Sequence, residues 1–149
     1  MTTELSVQDA SLVREVIENA ELRTIDFHEV SARRYDTQPH EGDEGKLTIT
    51  VEQRTGVDDF GVRLIATVIA PGGEASATVA GNYELQPGSG LSVRALRLFA
   101  NEVAVMTVFP HLREAIATIT AKVFGAPIML PLIERGQIAL ELEDDDRSR

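Results

Sequence analysis

Apolar side chains recur at helical spacing near the start of the chain. Leu12, Val13, Val16, Ile17 and Ala20 fall three or four apart, and Ser6 or Asp9 is available to cap the first turn, so residues 6–20 predict a short amphipathic helix. From Leu22 to Tyr35 the period drops to two. Ile25 and Phe27 share one phase and Val30 and Ala32 the other, a slip that predicts a strand with a bulge near His28-Glu29. Asp36 to Lys46 is polar, acidic and broken by proline and glycine, which predicts an exposed loop. Clean alternation follows: Leu47, Ile49 and Val51 point one way and Thr48, Thr50 and Glu52 the other, as in a sheet with one wet side. After a turn at Thr55–Asp59, Val62, Leu64, Ala66 and Val68 alternate. Pro71-Gly72-Gly73 turns the chain again, and Ala75, Ala77, Val79, Tyr83 and Leu85 make a fourth strand. Connections this short favour antiparallel neighbours.

Beyond Gln86-Pro87-Gly88-Ser89-Gly90 the period becomes helical, with Ser92 as N-cap and a first helix running to about Val108. Between Val103 and Phe109 only Thr107 is polar, so this helix needs cover on more than one face, and another subunit is the natural cover. Pro110 suits the first position of a second helix. There Leu112, Ile116, Ile119 and Val123 form an apolar stripe and His111, Glu114, Thr118 and Lys122 a polar one, with Gly125 closing the helix. Ala126 to Ile133 is an extended apolar segment pinned by Pro127 and Pro131. Ile138, Leu140 and Leu142 then alternate, and Glu143–Arg149 reads as an acidic, disordered tail. The order of elements is that of an α+β fold: a short N-terminal helix, four antiparallel strands and C-terminal helices. One domain spans 1–142, with the tail at 143–149, and no internal repeat or linker divides it.

Composition narrows the functions this fold serves. With 43% hydrophobic residues in 149 the chain can build a core, and it has neither a membrane-length apolar run nor a signal-like N-terminus, which places it in the cytoplasm. Fourteen basic residues against twenty-four acidic ones give a net charge of −10, which disfavours nucleic acid and anionic lipid as partners. The absence of cysteine excludes disulfides, thiolate nucleophiles and thiolate metal sites. His28, His40 and His111 are scattered and fit no metal-ligand spacing, and Pro87-Gly-Ser-Gly90 lacks the ending of a phosphate loop. The acidic pairs and runs at Glu41–Glu44, Asp58-Asp59 and Asp144–Asp146 match no calcium loop. Neither an enzyme nor a cofactor or metal is called for. What stands out is surplus apolar surface toward the C-terminus: Met106, Phe109, Phe124, Ile128, Met129, Leu130, Leu132 and Ile133 exceed the needs of one sheet face. Core and subunit interface account for most of it, and the remainder suits a groove for extended chains or, alternatively, an oligomeric module for a lipid-like ligand.

At the helix junction Val108-Phe109-Pro110-His111-Leu112-Arg113-Glu114 resembles the Leu-Phe-Pro-Tyr-Ala-Arg-Glu run of the SecB export chaperones, and Gly125, Pro127, Leu130 and Pro131 continue in the family's order. The resemblance covers 21–142 in element order and is residue-level over 101–132. It implies a four-stranded antiparallel sheet with helices on one side, strand-paired dimers, and a homotetramer formed as a dimer of dimers through the first long helix, with Val103, Met106, Thr107 and Phe109 at that interface. It implies a hydrophobic groove for unfolded preproteins drawing on Tyr35, Phe124, Ile128, Met129, Leu130, Leu132 and Ile133, with no nucleotide or metal needed for holding. It also implies, in many members, delivery to a translocase motor. Two departures bear on this. The family's Pro-Val-Asn-Phe is replaced by Pro131-Leu-Ile-Glu134, leaving the terminal helix short or absent, and only Glu29 corresponds loosely to the acidic motor-binding positions. These departures and the added N-terminal helix are closer to divergent SecB-like proteins, some of which serve as dedicated chaperones of an antitoxin.

Overall fold

The computed structural model of the chain describes residues 5–36 and 44–133. His40, most of the acidic run at 41–44, the alternation at 138–142 and the tail at 143–149 lie outside the described residues. Ser6 caps helix α1 (Val7–Asn19), its hydroxyl accepting from the Asp9 N–H at 3.0 Å. Four strands follow: β1 (Ala20–Arg34), β2 (Lys46–Thr55), β3 (Asp59–Ala70) and β4 (Gly73–Leu85). They form one antiparallel sheet in the order β1-β4-β3-β2, so three hairpin-linked strands are joined at one edge by the strand that precedes them in sequence. The long connection from β1 therefore crosses to the opposite edge. The expected slip in β1 is present between Phe27 and Glu29, with a second register shift between Leu22 and Thr24.

Alternation decides which face is dry. Phe60, Val62, Leu64, Ala66 and Val68 of β3 and Ala75, Ala77, Val79, Tyr83 and Leu85 of β4 are all buried on the inner face. The outer face carries cross-strand ion pairs: Arg23–Glu84 and Arg63–Glu52 at 2.6 Å, Arg33–Glu74 at 2.9 Å, and Arg54–Asp59 at 3.1 Å. Exposed pairs such as these each contribute about 1 kcal/mol at most, and their main effect is on register and solubility.

The inner face is covered by α2 (Val93–Phe99), capped by Ser92, and by α3 (Val105–Phe124), which lies over β4, β1 and β3. Phe99 of α2 meets Phe60 and Tyr83 with ring centroids 5.7 and 5.2 Å apart, tying that helix to the two central strands. α1 packs against α2, with Val16 fully buried and Asp9 3.3 Å from Arg94.

The helix boundary differs from the sequence expectation. The break comes at a π-helical turn, Ala100–Ala104, and Pro110 lies inside α3 instead of opening a new helix. Carried on at 3.6 residues per turn, the face of Ala95 and Phe99 would pass through Glu102, Val103 and Met106. The wider turn swings Ala104, Val105 and Val108 onto the sheet instead, and all three are buried. Pro110 forfeits one intrahelical bond on the exposed side, where the outer hydrogen bonds of a helix curving around a core are already lengthened. Close approach of α3 to the sheet depends on Gly81, where an added Cβ would lie 2.7 Å from a Val108 methyl.

Gly125, with φ at +84°, ends α3 and reverses the chain. Residues 126–133 then return along the helix, held by two side chains. The buried Thr120 hydroxyl donates to the Ile116 carbonyl at 2.6 Å and accepts from the Ile128 N–H at 2.8 Å, while Arg113 Nε donates to the Leu130 carbonyl at 3.0 Å.

Gly81→Ala is expected to destabilise the protein by about 1–3 kcal/mol through overpacking against Val108. Thr120→Val is expected to lower stability by about 1–3 kcal/mol by leaving the Ile128 N–H without its acceptor. Urea unfolding of the two variants checks both.

Candidate functional site

The return segment and α3 enclose a surface cleft of about 370 Å³. Met106, Phe109, Pro110 and Ala117 line it from the helix, and Met129, Leu132 and Ile133 from the segment opposite, with Arg113 and Glu114 as its charged members. Helical spacing sets the first group in a row along one side of α3. Pro131 and the Arg113 and Thr120 bonds hold the second group in an extended run facing it. Met129 is 54% and Leu132 80% exposed, so the apolar rim faces solvent even though the segment beneath it is fixed.

The seven residues expected to form one groove separate into three sets. Met129, Leu132 and Ile133 line the cleft. Ile128 and Leu130 turn inward, Ile128 packing half-buried against the core and Leu130 only 2% exposed. Leu130 is therefore buried and absent from the cleft lining, although its backbone carbonyl takes the bond from Arg113. Tyr35 and Phe124 gather at the other end of α3, around the β3–β4 turn. The Tyr35 N–H donates to the Gly72 carbonyl at 2.9 Å, and the Phe124 ring packs so closely on Gly73 that an added Cβ would lie 2.5 Å from it.

The residues expected at an oligomer interface are also partly used within the chain. Phe109 is 4% exposed, Val103 packs half-buried against the core, and the Thr107 hydroxyl donates to the Val103 carbonyl at 2.9 Å. Met106 is the one of the four that lines the cleft as a half-buried side chain. Of the apolar run from Val103 to Phe109, Met106 and Phe109 thus face the protein's own return segment across the cleft. A different strip is left bare: Leu22, Phe27 and Val30, on the inner face of edge strand β1, are each 40% exposed or more. Phe27 stands edge-on to His111 at 6.5 Å.

Among the described residues little suits acid–base chemistry. The Tyr35 phenol is shifted upward, by desolvation first and then by the hydrogen bond it donates to Glu74 at 3.1 Å and that carboxylate's charge. Tyr83 is also shifted upward, by burial, against the effect of its hydrogen bond with Thr107. Both shifts move away from neutrality. His28 shares a concavity on the outer sheet face with Glu52, but Glu52 is bound to Arg63, and among the described residues no hydrogen bond joins His28 to a carboxylate. No group of three metal-ligating side chains occurs among the described residues, and no described helix is long and apolar enough to cross a membrane. Of the two residues that hold the return segment, the sequence names Arg113 only as part of the helix-junction motif, without a role, and Thr120 not at all. The available signal was an arginine beside an apolar helix stripe, which sequence alone does not distinguish from an exposed charge.

No family profile matches the chain. Among curated proteins it is similar to the SecB-like chaperone SmegB of Mycolicibacterium smegmatis, 28% identical over 128 residues that cover 86% of this chain and 85% of that one. Among solved structures it is similar to the SecB-like chaperone Rv1957 of Mycobacterium tuberculosis, determined in complex with a ChAD peptide from the Rv1956 HigA1 antitoxin. The TM-score is 0.71 at 15% identity, over 84% of this chain and 98% of that one. A protein of unknown function from Streptococcus agalactiae aligns at a TM-score of 0.42 and 9% identity, over 76% of this chain and 97% of that one. With the sheet order, the enclosing helix and the Phe109-Pro110 motif in place, and with the match to SmegB running along most of both chains, this chain is similar to the SecB-like chaperones in sequence and shares the fold of Rv1957.

Proposed function

We propose that the protein is an ATP-independent holdase, a chaperone that binds extended apolar stretches of unfolded polypeptide and keeps them from aggregating. The observation that carries this reading is the cleft beside α3, with the solvent-facing Met129 and Leu132 set opposite Met106 on a pinned segment. Apolar side chains entering it leave water, which favours binding by about 25 cal/mol per Å² buried, and methionine on both walls adapts to side chains of different shape. Holding of this kind needs no bond chemistry, in keeping with a family that works without catalysis. A net charge of −10 keeps a loaded complex soluble and attracts basic clients.

The client class that best fits is an antitoxin or a comparable dedicated partner, with export of preproteins second. Rv1957 was solved with an antitoxin peptide, which supports the same class of ligand here. Docking to a translocase motor through acidic residues of the outer sheet face has less support, because Glu52, Asp59, Glu74 and Glu84 are each bound to an arginine. The compartment consistent with this role is the cytoplasm. The assembly is a homo-oligomer, at its fullest a dimer of dimers, in which the bare strip of Leu22, Phe27 and Val30 on β1 is covered by a second copy.

At equimolar amounts the purified protein is expected to suppress light scattering by a chemically denatured client. Replacing both Met129 and Leu132 with aspartate is expected to weaken client binding at least about tenfold, while the unfolding midpoint and the oligomer stay unchanged. No suppression with several clients would overturn the reading. Phe27→Asp is expected to lower the mass measured by multi-angle light scattering, since it places a charge in the proposed strand-edge interface.

A further inference from the structure

Arg113 is the one cation among the cleft's described lining residues, and one of its five N–H donors has a known partner. Its Nε is bound to the Leu130 carbonyl at 3.0 Å, which fixes the plane of the guanidinium. Among the described residues the two terminal nitrogens make no hydrogen bond or ion pair, although four arginines of the outer sheet face each hold a carboxylate. The side chain is half-buried, and the walls around it are methionine, phenylalanine, proline, leucine and isoleucine. A fixed guanidinium fork in such surroundings is the geometry that takes a carboxylate through two parallel hydrogen bonds. Partial exclusion of water strengthens that attraction relative to an exposed pair.

We propose that Arg113 forms a carboxylate subsite within the cleft, and that its ligand is the free C-terminus of an apolar polypeptide segment. This rests on the reading of the cleft as a client site and specifies the client's chemistry. Charge complementarity selects a carboxylate. The chain's own charge of −10 selects against clients that bring several acids, so a lone terminal carboxylate on an otherwise apolar segment is favoured over an acidic side chain in an acidic run. Glu114 is exposed and accepts from the Thr118 hydroxyl at 3.2 Å, so its charge is largely screened by water. Arg113 then has two tasks on one planar group: Nε sets the position of the return segment, and the terminal nitrogens read the end of the bound chain.

The test is fluorescence anisotropy with the full-length protein and a short, otherwise uncharged apolar peptide in two forms, one ending in a free carboxylate and one in a carboxamide. The acid is expected to bind about tenfold tighter, the equivalent of about 1.4 kcal/mol, with the difference shrinking at high salt and disappearing in Arg113→Gln. Because that variant also loosens the Leu130 contact, the wild-type comparison decides the matter by itself. Equal affinity of the two forms overturns the subsite while leaving the holdase reading intact. Failure of both forms to bind overturns the client site itself. A carboxamide peptide with one internal glutamate that binds as tightly as the acid overturns the assignment to a chain terminus.

Discussion

A helical stretch as apolar all round as Val103–Phe109 cannot stand bare at a surface, and the enclosure of the first turns of α3 is the constraint on which the rest of the structure depends. Val105, Val108, Leu112 and Ile116 press on the sheet and are essentially inaccessible to water. Phe109 and Met106 point elsewhere and need a second cover. The chain supplies it by reversing at Gly125 and laying residues 126–133 back along the helix. Such a segment lacks the hydrogen bonds of a helix or strand, so its peptide groups must find other partners. Thr120 and Arg113 provide them for Ile128 and Leu130. The same two bonds that close the core on one side of the segment leave Met129 and Leu132 facing outward on the other. The cleft is therefore a consequence of how the last helix is buried.

The approach of α3 to the sheet explains two irregularities. Its contact with β4 is close enough that Gly81 leaves no room for a side chain beneath Val108. Its phase relative to α2 is reset by the π-helical turn at Ala100–Ala104, which lets two helical segments with different apolar faces cover one continuous sheet. Pro110 is tolerated because it sits one turn later on the outward side, where a missing hydrogen bond is least disruptive.

The two faces of the sheet divide the molecule's behaviour. The outer face is a ladder of arginine–carboxylate pairs that keeps an acidic chain from presenting a concentrated field of one sign there. The inner face is fully covered only toward its centre. At one edge β1 carries two register shifts in its pairing with β4, and Leu22, Phe27 and Val30 on its inward side remain exposed.

Alternation and helical period in the sequence determined the four strands, their dry faces, the slip at Phe27–Glu29, the caps at Ser6 and Ser92, and the stop at Gly125, because each of these is set by neighbours within a few residues. The motif around Phe109-Pro110 carried the resemblance to the SecB chaperones. Sequence periodicity misplaced the helix boundary, since proline's local preference for a first turn was overridden by the packing of both flanking turns on one sheet. It also could not separate Leu130 from Met129 and Leu132: all are apolar residues in one extended run, and only the packing of that run leaves Leu130 buried and the other two exposed. Nor could it say that Met106 and Phe109 face a segment of the same chain across a cleft, because that depends on where a segment some twenty residues later returns in space. Hydrophobic pattern states that a side chain must be covered, and the tertiary structure alone states by what.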